Sequence, residues 1–177
     1  MMFHRLGLIN KNQRGFTLIE VVLAIALTGI ITGGITMTFF QVFSENTRGS
    51  NHMIAVRQVQ NAGYWVSHDT QMAQSVEPAA DPDPDGFPLV LTWTEWDGTV
   101  NEVTYTLVGD ELQREHYTNS ILDSTINVAE YVDTDPTKTK CEFAGGVLTL
   151  TVTATLGTGS QVQSETRVYE VIPRPSL

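Results

Sequence analysis

From Val21 to Phe40 the chain runs for twenty residues without a charge, as VVLAIALTGIITGGITMTFF. A helix rises about 1.5 Å per residue, so this run spans about 30 Å, the thickness of a bilayer's hydrocarbon core. The first fifteen residues hold Arg5, Lys11 and Arg14 and no acid. The positive-inside rule then leaves the N-terminus in the cytoplasm and everything after the run on the far side. A cleaved secretory signal has a shorter apolar region followed by a small-x-small site. Here the run is long and no such site follows Phe40.

Glu20 sits just inside the apolar run, where a carboxylate costs about 2.5–3.5 kcal/mol on insertion scales. No Lys or Arg lies between Phe16 and Glu45. One source of a counter-charge is a new α-amino group, made by a cut before Phe16. The alternative is that Glu20 snorkels to the cytoplasmic interface.

The string Lys11-Asn-Gln-Arg-Gly-Phe-Thr-Leu-Ile-Glu20, followed by Val-Val-Leu-Ala-Ile-Ala, resembles the type IV prepilin family. The pattern is a basic leader, a glycine, a phenylalanine and a glutamate four residues further on, then the hydrophobic run. The resemblance implies that a prepilin peptidase cuts after Gly15 and that the amine of Phe16 is methylated. It implies that Glu20 pairs with the terminal amine of a neighbouring subunit during assembly. It also implies the partners: other pilins or pseudopilins, and an inner-membrane assembly platform. Members of the family often carry a proline in the hydrophobic half; this chain has none there, and Gly29, Gly33 and Gly34 are its soft points.

Beyond Phe43 apolar residues recur every three or four positions, at Ala55, Val59, Ala62, Val66, Ala73 and Val76. Asp69 occupies the one polar slot in that stripe. Glu77-Pro78 is expected to end the helix, and Gly49-Ser50-Asn51 is a weak point. Asp69 reads as a local salt bridge or loop cap, or else as a contact to another subunit. After this the period changes to two, with strands expected at Leu89–Trp96, Val100–Val108, Glu111–Tyr117, Val147–Leu156 and Val162–Ile172, and a short one near Val128–Val132. Asp97-Gly98 reads as a two-residue hairpin turn. Thr118–Asn127 reads as a loose stretch and Asp133–Lys140 as a polar loop.

The expected fold is α+β, a long N-terminal helix packed on an antiparallel sheet, as in pilins. Its parts are a leader (1–15), a transmembrane and assembly helix (16–43), an amphipathic continuation (44–77) and a β-rich body (78–177). Two further strings, Trp65 to Val76 and Thr104 to Arg114, resemble J-type pseudopilins and W-type minor pilins.

Once the leader is removed, seven basic side chains face twenty acidic ones. A body this acidic is ill suited to nucleic acid as its main partner. Cys141 is the single cysteine, so no internal disulfide forms. His52, His68 and His116 lack metal-ligand spacing, and no nucleophile elbow supports a Ser/His/Asp site, so no enzyme is expected. Asp81, Asp83, Asp85 and Gly86 match the first half of a calcium loop, D-x-D-x-D-G. The bidentate glutamate of such a loop would fall on Thr92, and Pro88 interrupts it, so the segment reads as a solvated acidic linker. No cofactor is expected, with calcium the one alternative. The function read here is a structural minor pilin or pseudopilin, in a type IV pilus or type II secretion pseudopilus, at the tip or in the initiating complex. The alternative is a pilus-displayed adhesin or DNA-uptake subunit.

Overall fold

The computed structural model describes residues 15–79 and 86–175. Helix α1 covers Leu18–Met72 without interruption, through Gly29, Gly33, Gly34 and the expected weak point at Gly49-Ser50-Asn51. The chain divides into two units, 1–43 and 44–177.

In the first unit every described residue is exposed: the helix is apolar nearly all round, and no described residue covers it. Such a surface suits lipid. The hydroxyls of Thr28, Thr36 and Thr38 donate to the carbonyls of Ala24, Thr32 and Gly34 at 2.8, 2.9 and 3.0 Å, which leaves these polar groups satisfied within the helix.

In the second unit α1 turns amphipathic and buries Ala55, Val59, Ala62, Val66, Asp69 and Thr70. Small residues on this stripe let the sheets approach closely. A Cβ on Gly63 would lie 2.1 Å from the Tyr169 ring, whose hydroxyl donates to the Val59 carbonyl at 3.1 Å. The helix stops at Met72, short of the expected Glu77. The Gln74 amide bonds the Thr92 carbonyl at 2.8 Å, and Ser75–Pro78 becomes a strand. Val76 is therefore buried by alternation along a strand rather than by helical spacing.

Eight strands follow: β1 (Ser75–Pro78), β2 (Leu89–Thr94), β3 (Val100–Val108), β4 (Glu111–Thr118), β5 (Ile121–Ala129), β6 (Lys140–Ala144), β7 (Val147–Leu156) and β8 (Gln163–Val171). They form two antiparallel sheets rather than one, in the orders β1-β2-β3-β4-β5 and β6-β7-β8. Strands β3 and β7 have the expected bounds. The stretch read as loose, Thr118–Asn127, is instead mostly β5. It is an edge strand whose pairing slips at Leu112/Gln113 and His116/Tyr117, so its alternation is blurred. The short strand expected near Val128–Val132 is the end of β5 plus a bridge from Val132 to Ala154. Strand β6 was not expected; its signal is Gly145-Gly146, both at positive φ, turning directly into β7. The Asp97-Gly98 turn is a three-residue loop, with Gly98 at φ 88 after a turn at Trp96-Asp97.

One core joins α1 to both sheets. Leu89, Leu91, Val103, Tyr105 and Leu112 come from the larger sheet, and Leu148, Leu150, Val152 and Ala154 from the smaller. On β7 the threonines alternate outward as expected, except that Thr153 is also buried and bonds the Lys138 carbonyl at 2.8 Å.

Candidate processing and assembly site

Gly15, Phe16 and Thr17 lie outside the helix, and Gly15 and Phe16 are exposed. The peptide bond between Gly15 and Phe16 thus sits in irregular backbone, where a protease can seat it in an extended form. The helix begins with a local device that sequence reading missed. Thr17 and Glu20 have the spacing of a capping box, and the Glu20 amide donates to Thr17 Oγ1 at 3.3 Å and to the Thr17 carbonyl at 3.1 Å. Glu20 therefore stands in the first turn, where the helix dipole stabilises a carboxylate by about 0.3–1 kcal/mol. This offsets part of the cost of an acid at the membrane boundary and leaves the rest for a cationic partner. Phe16 precedes the first helical residue, so its amine is not fixed one helical turn from Glu20.

The second cluster lies in the body. Asp69 is buried in α1, and Arg114 reaches it from β4 with Nε at 2.7 Å and Nη2 at 3.3 Å. Tyr105 of β3 donates its hydroxyl to the same carboxylate at 2.5 Å. His68 Nδ1 stands 3.3 Å from the other oxygen, and Trp65 lies 5.1 Å from the Arg114 guanidinium carbon. Burial, then the charge of Asp69, raises the Tyr105 hydroxyl well above the ordinary phenol range, so it stays a donor. Burial opposes the charge of Arg114, but the hydrogen bonds and field of Asp69 outweigh it and hold the guanidinium charged. The pair is neither a loop cap nor local: it ties helix to sheet. The two strings that resembled J-type and W-type subunits meet here, since one supplies Asp69 and the other Tyr105 and Arg114. Nothing in the residue spacing alone paired them.

Asp81, Asp83 and Asp85 lie outside the described residues. Their flanks are described. The Ala79 amide donates to the carbonyls of Gly86 and Pro88 at 3.3 and 3.1 Å. Gly86 has φ 75, and a Cβ there would lie 1.9 Å from the Cys141 carbonyl. That close approach requires glycine whether or not a cation binds. Thr92, where a calcium loop would need glutamate, is in β2 opposite Ser75 and Glu102.

The larger sheet and the smaller one on a long helix that is apolar in its first unit define an α+β protein with a pilin-like architecture. Residues 10–36 match the family of the prokaryotic N-terminal methylation motif, a span holding Gly15, Phe16 and Glu20. The match supports a type IV prepilin-like chain, a substrate of prepilin peptidase. The motif and the apolar helix together fit membrane anchoring. No curated protein and no solved structure matches the chain.

Proposed function

We propose that this chain is a structural minor pilin or pseudopilin of a type IV pilus or type II secretion pseudopilus. It waits in the cytoplasmic membrane with its body outside, is cut after Gly15 and methylated on Phe16, and enters the filament tip or initiating complex through its helix. The observation that carries this reading is the methylation motif set directly against an exposed, uniformly apolar helix. The work of such a subunit is packing and recognition rather than bond-making.

The test has two stages. Mass spectrometry of the membrane-extracted protein should find a chain beginning at methylated Phe16; an intact leader in a peptidase-positive host refutes the reading. Glu20→Val should leave insertion and cleavage intact and reduce crosslinking to the other pilins at matched membrane levels. Equal incorporation of wild type and variant would leave Glu20 as a helix-start residue only.

A further inference from the structure

The body carries a knob at one end and a notch at the other. The knob is Trp96, 97% exposed at the apex of the β2–β3 turn. The turn is held rigidly: the Glu95 amide donates to the Thr99 carbonyl at 2.8 Å, and the Thr99 amide to Asp97 Oδ1 at 2.9 Å. A rigid indole loses little entropy on docking, which is why tryptophan is enriched at the centres of interfaces. Glu95 and Asp97 flank it, and neither has a cationic partner among the described residues. The turn lies where α1 ends, because Gln74, just past the helix, bonds β2 at Thr92 and Thr94.

The notch is on the opposite stretch of the same helix. Gly49 and Ser50 leave the surface bare between Glu45 and Met53, and a Cβ on Gly49 would meet nothing within 4 Å. Met53 is 68% exposed and forms an apolar wall. Arg57 closes the far side with no ion-pair partner among the described residues, while Glu45 is already engaged by Arg48 at 3.5 Å. The acidic knob and the notch with a free guanidinium are complementary.

We propose that the Trp96 turn of one copy docks into the Gly49–Met53 notch of a second copy, with Asp97 and Glu95 facing Arg57. One surface meets a different surface, so the contact is heterologous, and more than one copy enters the same complex. Along α1 the distance from Gly49 to Met72 is about 35 Å at about 1.5 Å per residue. Bodies lying in register side by side hold knob and notch that far apart. The contact forms only between copies offset along the body's stretch of α1 by about that distance. The inference rests on the assembly reading above and adds to it that copies of this chain stack on each other.

The experiment uses two differently tagged full-length copies in one membrane, Thr94→Cys beside the knob in the first and Asn46→Cys on the notch rim in the second, with a short bis-maleimide, so that Trp96 and Gly49 stay intact. Cys141 is buried, and single-cysteine strains control for it. The expected result is a linked heterodimer that requires both cysteines and a working assembly machine. Asp97→Arg in the first copy should lower the yield about fivefold, as like charges are brought together at a docking rim, and Arg57→Asp in the second should restore it. Linkage of the Thr94→Cys copy to a different pilin, no linkage, or equal linkage when assembly is blocked overturns the proposal. The mature N-terminus is read in the same membranes. Uncut leader overturns both this inference and the prepilin reading, whereas processed, incorporated chains without the link overturn the stacking contact alone.

Discussion

Arg114→Met should cost the body more than any single surface change, for reasons that can be worked from the Asp69 cluster. The variant keeps most of the apolar stem that lies against Trp65 but removes two donors to Asp69, at 2.7 and 3.3 Å. Asp69 is 2% exposed, so water cannot replace them. Removing one partner of a buried pair costs about 3–5 kcal/mol, because the remaining charge is stranded. For a body of this size, midway between small and medium domains, each kcal/mol moves Tm by roughly 4 °C, so Tm should fall by roughly 12–20 °C. The second arm separates the stranded charge from lost packing. Asp69→Leu with Arg114→Met and Tyr105→Phe replaces the buried polar cluster by apolar side chains, leaves no stranded hydroxyl, and should recover most of the loss, with Tm within roughly 8 °C of wild type. Calorimetry on a chain beginning at Asn46 gives both values. A drop under about 4 °C for Arg114→Met, or a triple variant no better than the single, refutes the claim that a buried carboxylate deprived of its cation sets the cost.

Three further outcomes are expected. The chain beginning at Asn46 should be folded and monomeric without a disulfide, since the core lies within unit 44–177; a disordered circular dichroism spectrum would show that the core needs the membrane half or a partner. Burial, with the charge of Glu142, pushes the Cys141 thiol up from 9.0 to about 12. The folded state holds that proton longer than the unfolded one, so the stabilisation is complete below the thiol's ordinary range and is lost as pH rises towards the folded value. The urea midpoint should therefore fall across that alkaline window, and a flat midpoint would mean the thiol is not buried in solution. If Asp81, Asp83 and Asp85 hold calcium, chelation should lower Tm and Asp83→Ala should abolish the difference; identical melting curves with and without chelator make the segment a plain acidic linker.

The apolar run and the methylation motif were legible in the sequence because their constraints are local: a bilayer demands an uncharged run of a certain length, and the motif is contiguous around Gly15, Phe16 and Glu20. The Thr17–Glu20 cap is equally local and was overlooked. Clean alternation likewise marked β7, which buries one face along its whole length, and β3, which does so from Asn101 to Tyr105. Edges were harder. β5 pairs on one side only and slips twice, so its side chains need not alternate, and the short β6 is specified mainly by the Gly145-Gly146 turn and by its neighbour β7. The helix end moved from Glu77 to Met72 because Val76 satisfies both periods, and only pairing with Leu91 decides between them. Tertiary structure alone joined Asp69 to residues 36 and 45 positions away, Tyr105 and Arg114. A buried charge announces that it needs a partner but not which one, because that choice depends on which strands the fold lays across the helix.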